Sequence, residues 1–211
     1  MRPILTVLIP SIPRDIDLLN GLLAEFRHQQ SNLFYNHPTL SGVEVIYDQT
    51  KSFLDGGLSI GKKREKLVQK ATGMYLCFCD VDDFPAPNYL ETLVRMCYEK
   101  KDVVTFRNFT TNDFFWTIVD MSLQHPTDEE ATPERIVKRR PWPICPVRTE
   151  YAQRFPFPDT NYSEDAVWMK QVLTLCKTEV HTDKILHTYR HSGKNSEADN
   201  ITRHEAIQSV K

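Results

Sequence analysis

The sequence predicts an α/β protein with a mostly parallel central sheet and helices on both faces. The first half of the chain alternates apolar runs with amphipathic segments, as in a strand–helix repeat. Continuous apolar runs are typical of strands that are buried on both faces. Polar groups follow directly after several of these runs. The predicted strands are ILTVLI (4–9), VEVIYD (43–48), MYLCFC (74–79) and DVVTF (102–106).

Amphipathic segments between these strands predict the helices. Leu19, Leu22 and Phe26 recur at helical spacing after the first strand. Ser59 is a good N-cap for a helix that reaches about Lys70. A third helix follows the third strand, with its apolar residues between 90 and 97. Strands joined in this way through helices run parallel to one another.

The second half is less regular in its pattern. The charged run DEEATPERIVKRR (128–140) predicts a surface helix or a mobile loop, and FFWTIVDM contains a candidate strand. Ser163 is the expected N-cap of a helix that begins EDAVWMKQ, and KILHTYRH (184–191) predicts a last strand. We expect a single domain over residues 1–211. Its parts are a Rossmann-like nucleotide-binding half (1–109), an acceptor-side half (110–196) and a polar tail (197–211).

Composition limits the possible functions. The 211 residues are 40% hydrophobic and 26% charged, with a net charge of −2, as in ordinary globular proteins. This balance gives no general attraction to nucleic acid or to an anionic membrane. Five cysteines without metal-ligand spacing indicate a reducing compartment rather than a disulfide framework. The apolar runs are too short for a signal peptide or an integral membrane segment, so we expect a cytoplasmic protein.

An acid cluster follows the third predicted strand. Asp80, Asp82 and Asp83 come directly after the apolar run, although like charges repel at such spacing. A solvated acidic turn is one interpretation, and a cation site is the other. In parallel sheets, ligands bind beyond the carboxyl ends of the strands. We therefore expect these acids to meet Pro10, Ser11 and Asp48, which end the first two strands, at one crevice.

Two other chemistries fit parts of the pattern less well. The segment GGLSIGKK (56–63) approaches the phosphate-cradling G-x-x-x-x-G-K pattern, but Lys63 stands where a Ser or Thr should bind the metal. That loop should also follow directly on a strand, whereas the preceding strand ends near Asp48. A phosphohydrolase with Asp80 as nucleophile would need a nearby hydroxyl, and Phe84 and Pro85 follow the acids instead.

The segment SIGKKREKLVQKATGMYLCFCDVDDFPAPNYLETLV resembles the signature of family 2 glycosyltransferases, which have the GT-A fold. LTVLIPSIPRD and VEVIYDQT resemble the first two strands of that family. Downstream, ICPVRTEYAQRFPFPDTNYSEDAVWMKQV and LHTYRHSGKNS resemble its acceptor-side and closing segments. The similarity is ordered along residues 4 to about 196. Matching positions in the first segment are Arg64, Ala71, Gly73, Tyr75, Asp80, Asp82 and Asp83, and Glu65 replaces the usual Asn.

The resemblance implies a role for each of these groups. Asp82 would hold a divalent metal, Mn²⁺ or Mg²⁺, with His191 as a further ligand or diphosphate contact and His187 as the alternative. Asp165 would be the general base, with Glu164 beside it. The donor-side residues would be Pro10, Ser11 and Asp48 at the base, Arg64 near the base or diphosphate, Asp80 at the ribose and Asp83 assisting either site.

The function that the resemblance implies is metal-dependent, inverting transfer of a sugar from a nucleotide-diphosphate donor, a UDP-sugar, to a hydroxyl. The acceptor would be a glycan, a lipid, a protein or a modified nucleic acid. Two alternatives remain open at this point. One is a non-catalytic nucleotide-sugar-binding protein of the same fold, and the other is the phosphohydrolase built on Asp80.

Overall fold

The structure, a computed structural model, describes residues 2–40, 42–111, 115–130, 132–133 and 135–190. The helices are α1 Ile16–Asn36, α2 Ile60–Lys70, α3 Tyr89–Cys97, α4 Thr149–Ala152 and α5 Glu164–Leu173. The strands are β1 Leu5–Pro10, β2 Val43–Asp48, β3 Tyr75–Phe78, β4 Phe84–Pro85, β5 Val103–Thr111, β6 Trp116–Met121, β7 Ile136–Arg139, β8 Val147–Arg148 and β9 Glu179–Arg190. Within these ranges, no helix combines the length and apolar character that crossing a bilayer requires.

The strands form one mixed sheet in the order β2-β1-β3-β8-β5-β6-β7, with β9 beside β5 and β4 beside β9. Strands β2, β1 and β3 are parallel. Strand β5 runs in the same direction, because the short strand β8 pairs antiparallel with both β3 and β5. The predicted α/β class with a mostly parallel central sheet is therefore confirmed. The antiparallel β8 is an addition that the apolar pattern did not indicate.

The central strands are covered on both faces. Every residue from Leu5 to Ile9 of β1 is buried, and so is every residue of β3. Because successive side chains of a strand point to opposite faces, complete burial requires packing on each side. Helix α1 contacts α3, whereas α2 contacts β1, β2 and α5. The fully buried ring of Trp168 on α5 stacks on Phe157 at 4.5 Å and ties α5 to this core.

The start of α2 lies against the segment that precedes α5. Ser59 caps α2 as the sequence predicts, since its side chain accepts a hydrogen bond from the Lys62 backbone N–H at 3.1 Å. The backbone N–H of Gly61 donates to the carbonyl of Thr160 at 3.0 Å. This approach is possible because residue 61 has no side chain: a Cβ there would lie 1.8 Å from the carbonyl oxygen of Pro158.

The prediction of a surface helix or mobile loop over residues 128–140 is wrong. This run contains strand β7, which pairs in parallel with β6. Asp128 accepts hydrogen bonds from the backbone and side chain of Arg140. The backbone N–H of Glu129 donates to the Lys138 carbonyl, and the Lys138 N–H donates to the Glu129 carboxylate. Charge pairs across the segment stabilise an extended conformation that the local charge pattern alone did not indicate.

The two predicted halves share one sheet. Strand β4, directly after the acid cluster, pairs antiparallel with β9 near the chain end, with Phe84 opposite Thr188 and Pro85 opposite His187. The division at residue 109 stays a prediction. His191 and the tail 197–211 lie outside the described residues.

Gly61→Ala should lower the free energy of unfolding by about 1–3 kcal/mol, because the added methyl group displaces the backbone at Pro158. Gly21→Ala is a matched control within exposed α1, where an added Cβ meets nothing within 4 Å. That substitution should stabilise the protein by about 0.5–1 kcal/mol. Urea denaturation measures both effects. Equal changes in the free energy of unfolding for the two variants would contradict the close approach of the backbone at Gly61.

Candidate active site

A cleft of about 2350 Å³ opens beyond the carboxyl ends of β1 and β3. Its walls come from the turns that follow these strands, from the first turns of α2 and α5, and from residues 140–143. Most of the site residues named from the sequence line it together: Pro10, Ser11, Arg64, Asp80, Asp82, Asp83, Glu164 and Asp165. Residues separated by more than a hundred positions in the chain thus meet in one place.

The acid cluster forms a tight turn in which the three carboxylates point to different surroundings. The backbone N–H of Asp83 donates to the Asp80 carbonyl at 3.1 Å, and the Asp80 N–H donates to Asp83 Oδ2 at 3.0 Å. Asp83 is 6% exposed, so its carboxylate lies inside the protein. Asp82 stands at the tip of the turn, where it is exposed to the cleft.

His187 holds Asp83 from the second half of the chain. Its Nε2 lies 3.0 Å from Asp83 Oδ2, and its Nδ1 lies 2.8 Å from Asn108 Oδ1. Both His187 and Asn108 are almost completely buried. His187, the alternative metal ligand, thus holds the acid turn through Asp83, and a contact between His187 and a metal stays a prediction. The first-choice ligand, His191, lies outside the described residues.

Asp82 carries negative charge that no cation of the described residues neutralises by direct contact. Reduced hydration of the carboxylate within the cleft, together with the neighbouring charges of Asp80 and Asp83, raises its pKa to about 6. Ionised Asp82 is therefore unfavourable in the ligand-free protein. A positively charged ligand at this point would relieve that cost.

Arg64 on α2 joins the acid turn to α5. Its Nη2 lies 3.2 and 3.1 Å from the two carboxylate oxygens of Asp80, and its Nε lies 3.2 Å from Glu164 Oε1. The guanidinium also lies over the ring of Phe78, 4.8 Å from the centroid. Burial acts to lower the pKa of Arg64, but the charges of Asp80, Glu164 and Asp165 outweigh it and raise the pKa. Arg64 is thus a permanent cation within the cleft wall.

Helix α5 begins with two acids that have different environments. Glu164 is buried against Arg64; burial raises its pKa, and Arg64 opposes that shift. Asp165 lines the cleft and accepts a hydrogen bond from the Ala166 backbone N–H at 2.7 Å. Ser163 precedes them in a left-handed conformation, φ 57°, and makes no capping hydrogen bond with its side chain. The expected side-chain cap of α5 is therefore wrong, and the carboxylate of Asp165 satisfies one N–H of the first turn instead.

The residues expected at the nucleotide base lie at neighbouring strand ends. Pro10 of β1 is opposite Asp48 of β2 in the parallel register. Ser11 is buried in the cleft wall. The carboxylate of Asp48 accepts a hydrogen bond from Thr50 Oγ1 at 2.6 Å, and Asp48 is not among the cleft-lining residues. A contact between Asp48 and a nucleotide stays a prediction.

Two residues of the site had no clear signal in the sequence. Lys63 lines the cleft although it is only 1% exposed, and its charge acts on Asp15 across the cleft wall. In the sequence, Lys63 is one of three consecutive basic residues and cannot be distinguished from its neighbours. Asn108 is an ordinary residue of β5 until β9 brings His187 beside it.

The donor set at the tip of the turn fits a divalent cation. Mg²⁺ and Mn²⁺ take oxygen ligands and usually combine few carboxylates with water and substrate phosphates. Asp82 offers one such carboxylate, while Asp80 is occupied by Arg64. Beneath the turn, Cys79, Asp83 and His187 also place ligand-type atoms within 4.8 Å of one another. That second group is buried, so it suits a structural role better than contact with a substrate.

Comparisons with known proteins agree with this geometry. The model of the family "Glycosyl transferase family 2" matches residues 53–154. The crystal structure of S. aureus TarS 1-349 in complex with UDP-GlcNAc superposes with a TM-score of 0.63 at 16% identity, over 94% of this chain and 61% of that one. The chain has a family 2-like GT-A fold.

Further TarS structures give the same result for this GT-A chain. The complex of S. aureus TarS 1-349 with UDP matches with a TM-score of 0.59 at 18% identity, over 91% of this chain and 61% of that one. The structure of S. aureus TarS 1-349 without a named ligand matches with a TM-score of 0.58 at 16% identity, over 90% of this chain and 60% of that one. The GT-A chain spans about three fifths of the length of these structures. No curated protein matches its sequence.

Replacement of Arg64 by Met should lower the free energy of unfolding by about 3–5 kcal/mol, because it leaves Glu164 and Asp80 without their counter-charge. Arg95→Met is the matched control on an exposed helix pair, Arg95–Glu91, with an expected loss of about 0.3–0.5 kcal/mol. Chemical denaturation at pH 7 measures both. Similar losses for the two variants would mean that the Arg64 bridge contributes no more than a surface pair.

Asp82→Asn should raise the melting temperature at pH 8 when divalent ions are removed with a chelator. The pKa of Asp82 is about 6 in the folded protein and 3.8 when unperturbed, so its ionised form opposes folding above pH 6. Between pH 3.8 and pH 6, the folded state binds the proton of Asp82 more tightly than the unfolded state does. The difference between variant and wild type should shrink as the pH falls from 6 and disappear near 4. A difference that stays constant from pH 8 to pH 4 would contradict this assignment.

Proposed function

We propose that the chain is a metal-dependent, inverting glycosyltransferase that moves a sugar from a UDP-sugar to an acceptor hydroxyl. The observation that carries this proposal is the pairing of Asp82 and Asp165 in one cleft, where both carboxylates are accessible. Asp82 can bind a cation that holds a diphosphate, and Asp165 can accept a proton. The family 2-like GT-A fold supports the same reaction class.

The donor would bind along the carboxyl ends of β1 and β3. Pro10 and Ser11 are offered as contacts to the nucleotide base, and Asp80 as a contact to the ribose. The TarS structures that share this fold contain UDP-GlcNAc and UDP, which supports a uridine nucleotide here as well. Arg64 and Lys63 place two basic side chains in the cleft wall.

Asp82 would hold the divalent metal through its exposed carboxylate. When bound, the metal neutralises the charge that develops on the departing diphosphate. Asp83 and His187 would keep the turn in the conformation that directs Asp82 into the cleft. Asp83 would therefore act on the metal site indirectly.

Asp165 would remove the proton from the acceptor hydroxyl. The charge of Arg64 acts on Asp165 and favours its ionised form. Glu164, the other acid of this turn, is buried and held by Arg64, so its role would be to orient α5. A single accessible carboxylate at this point supports direct displacement by the acceptor, which inverts the anomeric centre.

The alternative functions receive less support from the same contacts. A phosphohydrolase would need Asp80 as a free nucleophile, but both of its carboxylate oxygens lie within 3.2 Å of Arg64 Nη2. A non-catalytic nucleotide-sugar-binding protein would need the donor side of the cleft without a base. The accessible carboxylate of Asp165 favours the enzyme over this alternative.

Asp165→Asn should lower the rate of UDP release from a UDP-sugar about 10²–10⁴-fold while it leaves donor affinity unchanged. The sugar is transferred either to water or to an added acceptor, and the UDP released in that step can be followed without knowing the natural acceptor. Donor binding is measured by calorimetry with UDP in the presence of Mn²⁺. Loss of UDP binding together with turnover would show that Asp165 is not specifically a base.

The metal requirement is tested by the same calorimetric measurement of UDP binding. Asp82→Asn should lose the Mn²⁺-dependent part of UDP binding, and Asp55→Asn, outside the cleft, should keep it. At a ligand concentration of about 100 times Kd, UDP with Mn²⁺ should stabilise the wild type by about 2.7 kcal/mol. Wild-type protein that binds no UDP with or without Mn²⁺ would refute the proposed function.

A further inference from the structure

A second group of metal-ligating side chains lies on the sheet outside the cleft. It consists of Asp120 on β6, His181 and Asp183 on β9, and His125 in the turn after β6. Asp120, His181 and Asp183 place one ligand atom each within 4.8 Å of one another. The register of β9 shifts after Thr182, and the side chains of His181 and Asp183 nevertheless meet on one side of the strand.

The distances within this group match those between ligands of one ion. His181 Nε2 lies 3.4 Å from Asp183 Oδ1 and 3.5 Å from Asp120 Oδ1. His125 Nε2 lies 3.1 Å from Asp120 Oδ2. Zinc bonds of about 2.0–2.1 Å in a tetrahedral arrangement separate neighbouring ligand atoms by about 3.3–3.4 Å. The side chains therefore already have nearly the spacing that a bound zinc ion would impose.

A second and independent observation concerns the other nitrogen of His181. Its Nδ1 lies 3.0 Å from Thr105 Oγ1, and the same hydroxyl lies 2.9 Å from Glu179 Oε2. Thr105 is completely buried. Metal-binding imidazoles usually have their second nitrogen held in this way, which fixes the ring and the tautomer. The chain Glu179–Thr105–His181 thus directs Nε2 toward the two carboxylates.

Arg107 is the cation that contacts this group in the ligand-free protein. Its Nε lies 3.1 Å from Asp120 Oδ1, and its Nη2 lies 2.7 Å from Asp183 Oδ1. These are the same oxygen atoms that face His181. Asp183 is 72% exposed, so its side chain can change partners at little cost. An incoming ion would compete with Arg107 for the exposed carboxylate of Asp183 and the buried carboxylate of Asp120.

We propose that Asp120, His181 and Asp183, with His125 on the other oxygen of Asp120, bind a zinc ion outside the substrate cleft. Mixed imidazole and carboxylate ligands suit Zn²⁺, whereas the oxygen-only tip of the acid turn suits Mg²⁺ or Mn²⁺. The two sites differ in ligand chemistry and lie on different elements.

The ion would connect elements that also form part of the cleft wall. Glu179 accepts hydrogen bonds from Ser122 Oγ at 2.7 Å and from the Leu123 backbone N–H at 2.9 Å. Leu123 and Gln124 of this turn line the cleft. Zinc bound between β6 and β9, with His125 held on Asp120, would therefore restrain the turn 122–125 and stabilise that part of the wall.

Calorimetric titration of chelator-treated protein with ZnCl₂ tests the proposal. The Asp82→Asn protein is used, so that binding at the acid turn does not contribute. We expect one zinc ion per chain with a dissociation constant in the micromolar range or below. The same protein titrated with CoCl₂ should develop the intense visible absorption of tetrahedral cobalt. Absence of saturable zinc binding in this protein would overturn the proposal.

Variants in the same background identify the ligands. His181→Ala and the exposed Asp183→Asn should each weaken zinc binding at least about tenfold, and Thr105→Val about 10–100-fold. His28→Ala, an exposed histidine of α1, should leave it unchanged. Arg107→Met should tighten binding, because the competing cation is removed. Equal affinities for His181→Ala, Asp183→Asn and His28→Ala would overturn the assignment, whatever the outcome of the UDP assays.

Discussion

The guanidinium of Arg64 connects the three parts of the chain from which the candidate active site is built. It is carried by α2, it contacts Asp80 at the end of β3, and it contacts Glu164 at the start of α5. Removing a charge of this kind from water costs several kcal/mol, which two carboxylates and the face of Phe78 offset. The acid turn and the start of α5, which form two parts of the cleft wall, are therefore joined through one side chain.

This arrangement divides the acids of the site into two classes. Asp80, Asp83 and Glu164 are each held by a cationic or imidazole side chain within the wall. Asp82 and Asp165 belong to the same two turns but remain accessible in the cleft. Neighbouring residues in sequence thus have opposite roles, because a turn directs one carboxylate inward and the next one outward. Those with internal partners fix the geometry, and the accessible ones are available to ligands.

Local patterns in the sequence were sufficient for strands β1, β2, β3 and β5, for helices α1 to α3 and for the position of the acid turn. The apolar run before Asp80 and the Ser59 cap are short-range features, and both predictions were confirmed. The partners of the acids were not predictable, because Arg64 and Glu164 are a hundred positions apart. Strand β7 was missed for the same reason: its stability comes from β6 and from Asp128, whereas half of its own four residues are charged.

The accessible acids also explain why the cleft is incomplete without a ligand. Folding brings Asp82 close to Asp80 and Asp83 but gives a direct partner, Arg64 or His187, only to the latter two. Loss of hydration and this repulsion together raise the pKa of Asp82, so the fold retains an unfavourable electrostatic interaction at one defined point. A ligand that supplies positive charge there gains binding energy from relief of that repulsion, in addition to its own contacts. Fold stability and ligand affinity are therefore linked through the same carboxylate, with Arg64 too deeply engaged elsewhere to neutralise it.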